Sequence, residues 1–327
     1  MVRIQSVLCI LLLPFLAGIT PPAVAQESDA DIAIVYAERV PLAAQSLMLD
    51  VVDVQGRLVA VGERGNIILS DDRGETWQQA QEVPTRSTLT SVVAVDGRLW
   101  AAGHDTVILS STDGGNTWAS QNFDPDRQQP IMDLYFSDAE NGMAIGAYGL
   151  MLVTTDGGQT WDDWAVNDED DMHLNAIIET PQGNLLIAGE AGFGYRSTDG
   201  GETWETLDLP YGGSMFGAFV LGNDCAVFYG LRGHAMMSCD DGVSWEELDT
   251  GTQTTMLGGV VTGDNAIIVG NSGSVHEFNP DTGFKTRIHS SGVDFSSAIA
   301  IEPGRYLLVG EDGAHFYPEE ASRGMQP

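Results

Sequence analysis

The chain has 327 residues, 47 of them acidic and 14 basic, and a formal net charge of −33. That balance argues against nucleic acid or an anionic membrane surface as a partner and favours solubility, cationic partners or a saline habitat. An apolar content of 43% is ample for a core, so the acidity does not imply disorder.

Residues 1–25 read as a secretory signal peptide. Arg3 is the basic start, Val7 to Ala17 the apolar core, and Ala23-Val24-Ala25 a small-residue cleavage site before Gln26. The apolar run is short for a membrane anchor, and Cys9 lies inside it rather than at a cleavage site, which argues against a lipoprotein. The remainder contains no transmembrane segment and is expected to be periplasmic or secreted. Ile32–Tyr36 is a lone β-like segment ahead of the main pattern.

From there the chain repeats. Ser111-Thr112-Asp113-Gly114-Gly115-Asn116-Thr117-Trp118 recurs as Thr154 to Trp161 and Ser197 to Trp204, with looser copies at Ser70 to Trp77 and Ser238 to Trp245. Trp77, Trp118, Trp161, Trp204 and Trp245 are spaced by 41, 43, 43 and 41 residues. A fixed period near forty signals a repeat architecture. Each copy follows a short apolar run, as a β-hairpin turn does. The glycines supply positive φ. The aspartates (Asp72, Asp113, Asp156, Asp199 and Asp240) accept bonds from backbone N–H groups just beyond them, and the Ser/Thr hydroxyls do so more weakly. The tryptophan starts the next strand and wedges between units.

Seven strand-ending glycines (Gly62, Gly103, Gly146, Gly189, Gly230, Gly270 and Gly310) give seven units. The sixth box has decayed to Asn279-Pro280-Asp281-Thr282-Gly283. The seventh unit stops after Ala314-His315-Phe316-Tyr317 and has no fourth strand. No stretch has helical periodicity over a useful length. The expected fold is all-β: a seven-bladed propeller of four-stranded antiparallel blades over 26–318, closed by Ile32–Tyr36 as the missing strand of the last blade, with a loose tail at 319–327.

These turns form the Asp-box, or BNR, repeat. With Leu-Val-Ala-Val-Gly (58–62) and Gly-Met-Ala-Ile-Gly (142–146) leading into boxes, the chain resembles the photosystem II assembly and stability factor-like family of β-propellers. The resemblance covers nearly the whole chain after the signal peptide. It implies a non-catalytic scaffold that helps to assemble or stabilise a membrane protein complex from the lumenal or periplasmic side. In photosynthetic relatives an arginine-rich surface is implicated in partner binding; here the arginines from Arg57 to Arg305 are spread over the units. Relatives in non-photosynthetic bacteria resemble periplasmic companions of large exporters.

Candidate sites follow from the register. Asp50, Ser91, Asp133, Asn175, Gly217, Gly258 and Ser297 align on the first strands, which line a propeller's channel. One reading is close packing, with carboxylates bonded to backbone amides; the other is a cation or water cluster at Asp50 and Asp133. The short turns after the glycines carry Glu63, Arg64, His104, Glu190, Arg232 and Glu311, on the face shared with the inter-blade loops where binding usually occurs. The acidic loop from Asp162 to Asp171 offers oxygen ligands for calcium but lacks EF-hand spacing, and a solvated charge run accounts for it better. Cys225 and Cys239 are equidistant from a turn centred near Arg232, which predicts a cross-strand disulfide; two buried thiols are the alternative. The six histidines show no triad or metal spacing, and no cofactor or metal is expected. A protein partner and a monomeric state are expected.

The competing class is an Asp-box glycoside hydrolase of sialidase type. That chemistry requires three converging arginines, a Tyr nucleophile and an acid/base Asp. The arginine supply is poor, no Arg-Ile-Pro motif opens the first unit, and Asp50 with Asp133 is the one carboxylate pair on offer.

Overall fold

The computed structural model describes residues 34–167 and 171–319. Residues 1–33, 168–170 and 320–327, which include the expected signal peptide, Ile32, Ala33, part of the acidic loop and most of the expected tail, lie outside the described residues. Seven antiparallel sheets surround a channel. Six have four strands and the seventh has three. Their innermost strands are Met48–Val54, Leu89–Val95, Ile131–Phe136, Leu174–Glu179, Met215–Val220, Met256–Thr262 and Phe295–Glu302. Each touches the next, and the last touches the first, so the ring is closed. We number the blades 1 to 7 in that order. No helix among the described residues is long and apolar enough to cross a membrane.

The forty-residue glycine period has a single steric cause. A β-carbon at Gly103 would overlap the carbonyl oxygen of Thr88, just ahead of the same blade's inner strand. The glycine lets that carbonyl in, and the N–H of the following residue, His104, donates to it at 2.9 Å. The same bond recurs in every blade, ending with Glu311 N–H to Asp294 at 3.0 Å. Beyond it the turn tips adopt left-handed backbone, including Arg64, Asp105, Tyr148 and Arg232.

The Asp-box wedge operates between blades. The second glycine of each box rests on an apolar side chain of the preceding blade: Gly115 on Leu69 and Val59, Gly158 on Trp100, Gly201 on Met143, and Gly242 on Leu186. Gly74 of blade 1 rests on Leu307 of blade 7, which carries the pattern across the closure. Trp118 is buried among Val59, Leu69, Val83 and Leu109 in one such inter-blade core. Two further indoles intrude on the pattern. Trp164 Nε1 donates to Gly201, the carbonyl that the Trp204 indole would take, and Trp100 Nε1 donates to Gly157; the buried Nε1 atoms of Trp161 and Trp204 have no partner.

The expected closure by Ile32–Tyr36 is corrected. Ile34–Tyr36 is not a strand and is largely exposed. The segment is pinned near the blade 1–2 junction: Ala37 N–H donates to Val83 at 2.9 Å, and Arg86 Nε donates to the Tyr36 carbonyl at 3.0 Å. Arg86 also pairs with Glu38 at 2.7 Å. These bonds hold the segment away from the last blade. Blades 7 and 1 are joined by packing instead, with Leu307 and Ile301 against Met48, Leu58 and Ile68 in a shared core. Arg73 donates to the Ile301 carbonyl, and Arg305 pairs with Glu75 at 3.2 Å.

Of the expected loose tail 319–327, only Glu319 is described. Glu319 Oε1 accepts the Ser290 N–H at 2.6 Å, so this residue belongs to the blade 6–7 body. The cross-strand disulfide Cys225–Cys239 is present, with Cα atoms 4.2 Å apart.

Replacing Gly103 by Ala should cost about 1–3 kcal/mol, as overpacking does. Gly212→Ala, where a β-carbon meets open space, should change stability by less than about 0.5 kcal/mol. Urea midpoints at equal m-value measure both; equal effects would refute the close-approach account. Alkylation of the denatured protein should label Cys225 and Cys239 only after reduction, read by intact mass.

Candidate functional site

The channel wall is the most connected polar feature of the described residues. A β-bulge at the start of each inner strand turns one side chain toward the neighbouring blade. Asp50 bonds outward in both directions. Its Oδ1 accepts the Ser297 hydroxyl of blade 7 at 2.9 Å, and its Oδ2 accepts the Val92 N–H of blade 2 at 2.9 Å. Asp133 does the same two blades on, from Ser91 of blade 2 at 3.1 Å and from the Ile177 N–H of blade 4 at 3.0 Å. Each carboxylate also caps the N–H of the next residue in its own strand.

One member of the expected ring is misplaced. Asn175 lies at the bulge, and Ala176 holds the register of Asp50 and Ser91. Ala176 lies thirteen residues before Gly189, the offset Asp133 keeps from Gly146 and Gly217 from Gly230, so Asn175 is one residue early and falls on the bulge. Asn175 still links blades, donating to the Met215 carbonyl of blade 5 at 2.8 Å. Thr90, at the same bulge position in blade 2, donates to Ile131 of blade 3 at 2.6 Å. A chain of hydrogen bonds thus runs from blade 7 through blade 1 to blade 5.

Between blades 5 and 7 the ring changes character. At Gly258 the Ser296 carbonyl of blade 7 comes in close, and the buried Tyr229 fills the space beside Gly217. Its ring covers Gly217, and its hydroxyl lies where a side chain on Gly259 would go. Sequence reasoning missed Tyr229. The signal was there: a ring position without a side chain, Gly217, leaves a volume that a neighbouring strand must fill.

Burial raises both carboxyls. Asp50 is pushed up to about 6, against opposing hydrogen bonds from Val92, Ser297 and Val51. Asp133 rises to about 7, through burial and with the charge of Asp50 adding to it. The box aspartates behave oppositely because they are solvated and fully bonded. Asp113 Oδ1 accepts the Thr117 N–H at 3.0 Å and the Ser111 hydroxyl at 2.9 Å, while Oδ2 accepts the Thr117 hydroxyl at 2.7 Å. Equivalent bonds from Thr160, Thr203 and Ser244 lower Asp156, Asp199 and Asp240 to about 2.

The turn-face residues share one surface with the inter-blade linkers but do not converge on one point. Arg64 is 87% exposed and loosely paired with Glu63 at 3.9 Å. It borders a hollow with Glu38, Ser46 and Arg86. Arg232 lines another groove with His234, Glu247 and Gln253, where His234 stacks on Tyr211 at 3.6 Å and meets Glu247 at 2.5 Å. Glu190 accepts the His173 N–H at 2.9 Å, Glu311 accepts the Asp294 N–H at 3.3 Å, and the backbone N–H of His104 is the one bonded to Thr88. In the acidic loop, Asp162–Trp164 is the outer strand of blade 3, and Asp163 pairs with Arg127 at 2.6 Å. Among the described residues no group of three or more potential ligands is arranged for a metal.

Comparison with known proteins agrees with this geometry. The family model for the photosynthesis system II assembly factor YCF48 matches residues 120–279, and that of the DUF6242 beta propeller domain matches residues 37–174. The chain is a seven-bladed β-propeller that resembles the photosystem II assembly factor family. Among solved structures it is similar to YCF48 bound to D1 peptide, with a TM-score of 0.69, 17% identity and coverage of 86% of this chain and 94% of that one. YCF48 from Cyanidioschyzon merolae gives a TM-score of 0.66 at 17% identity over 86% and 98%. The WD40 propeller of Doa1 gives 0.66 at 14% identity over 88% and 97%. No curated protein matches the sequence.

The two carboxylate sets predict a stability maximum. A carboxyl raised in the folded state favours folding while protonated, so the Asp50 and Asp133 contributions fall as pH rises from about 4 to about 7. The lowered box aspartates favour folding above about 4, and that is lost as pH falls toward about 2. Urea midpoints should therefore peak near pH 4–5, and Asp133→Asn should flatten the decline above the peak. An unchanged slope in the variant would contradict the assignment.

Proposed function

We propose that this protein is a non-catalytic scaffold of the periplasm or the extracellular space, binding a protein partner while a membrane protein complex is assembled or stabilised. The observation that carries the reading is the commitment of Asp50 and Asp133. Their oxygens already accept N–H and O–H groups from neighbouring blades, so the one carboxylate pair suggested for glycoside chemistry serves the ring instead. The match to an assembly-factor family model supports the same reading, as does a similar propeller solved with a bound peptide. The N-terminal sequence, with its basic start, short apolar core and small-residue site, supports export.

The test is recovery of tagged full-length chain from detergent-solubilised native membranes, with cell fractionation alongside. A membrane protein should be enriched over a tag-only control and recovered with the periplasmic or secreted fraction of the chain. Arg64→Glu or Arg232→Glu, at exposed tips of the turn face, should alter the recovery. No enrichment, or turnover of an aryl-sialoside or polysaccharide lost in Asp133→Asn, would replace this reading.

A further inference from the structure

The seventh blade ends at Gly313–Tyr317, and no strand among the described residues pairs with the outer edge of that strand. An open antiparallel edge presents N–H and C=O groups that template another strand. The other six blades provide an internal control. Their outermost strands are polar, as in Gln78–Gln79, Glu205–Thr206 and Glu246–Leu248, and polar or charged edges resist strand addition. Gly313–Tyr317 reads Gly-Ala-His-Phe-Tyr and carries no charged residue; Ala44 abuts it at Gly313 and His289 Nε2 bonds the Phe316 carbonyl at 3.3 Å, but no strand among the described residues covers its outer edge. Ala314 to Phe316 are half-buried, whereas the corresponding third strands of blades 1 and 2 are buried throughout under a fourth strand. The chain's own β-prone Ile34–Tyr36 is bonded at Val83 and Arg86, on the far side of blade 1.

We propose that the open edge of blade 7 docks an extended, lysine- or arginine-bearing segment of a protein partner, which adds to the sheet as its fourth strand. The proposal rests on the protein-binding reading above and names where and what that protein binds. Main-chain bonds supply the affinity and charge supplies the selection. Glu311 and Asp312 precede the strand, Glu319 follows it, and Glu277 accepts the Tyr317 hydroxyl at 2.5 Å. Three bases neighbour the strand and are each paired: Arg305 lies over the Phe316 ring at 4.3 Å and pairs with Glu75, while Lys285 and Arg287 lie 3.7 and 4.0 Å from Glu277, so the acidic excess at this edge comes from Glu311, Asp312 and Glu319. A net charge of −33 repels an acidic strand, including one from a second copy, and steers a basic one inward.

The probe is a labelled eight-residue peptide alternating valine with lysine, titrated by fluorescence anisotropy beside a valine–glutamate counterpart. The lysine peptide should bind saturably and more weakly in high salt, and the glutamate peptide should not bind. A closed-edge variant, with residues 319–327 replaced by an Asn-Gly turn and a strand designed to pair with Gly313–Tyr317, should bind at least about tenfold more weakly. If that variant does not fold, Ala314→Pro and His315→Pro take its place; adjacent amides point to opposite edges, so one of the two removes an outward N–H. No binding of the lysine peptide, equal binding of both peptides, undiminished binding by the blocked variants, or binding that appears only after residues 320–327 are deleted would each overturn the proposal. A membrane protein recovered equally well by the closed-edge variant would leave the partner-binding reading standing and remove this one.

Discussion

The ring depends on how blade 1 holds both its neighbours. Asp50 takes a hydroxyl from the last blade and an N–H from the second, so one carboxylate spans the junction where the chain's two ends must meet. Closure relies on contacts of this kind, because among the described residues no ladder of backbone bonds crosses the seam. The shared core of Leu307, Ile301, Met48 and Ile68 supplies the apolar half of the closure.

The same carboxylates show how the most buried acidic groups of the described residues are tied into the ring. A buried carboxyl is costly unless its oxygens are bonded, and Asp50 and Asp133 obtain their partners from strands on either side. The bonds make them structural links, and their burial makes them sensitive to pH. The Asp-box carboxylates reach a similar saturation at the surface, within their own turns. Much of the chain's acidity outside these groups is solvated. It sets the sign of the surface a partner meets without forming a ligand cluster among the described residues.

Seven units, their glycine and tryptophan registers, the box turns and the disulfide were legible in the sequence. Each is a local event, with its donors and acceptors within a few residues or across one hairpin. Asn175 was misplaced by one residue because the bulge at the start of the inner strand decides which of two neighbouring residues holds the ring register. Tyr229 was overlooked because filling a gap left by Gly217 and Gly259 is a matter of volume between strands, and no periodicity reports it.

The sequence by itself determined the blade count and the chemistry of each corner, because a repeat writes its short-range bonds many times over. How the ring closes was decided only by tertiary structure. Ile34–Tyr36 has the composition of a strand, yet its neighbours Ala37 and Glu38 bond to Val83 and Arg86, and blade 7 has three strands among the described residues. Strand propensity is a local quantity, whereas the choice of edge is a competition among distant partners that share the same backbone chemistry.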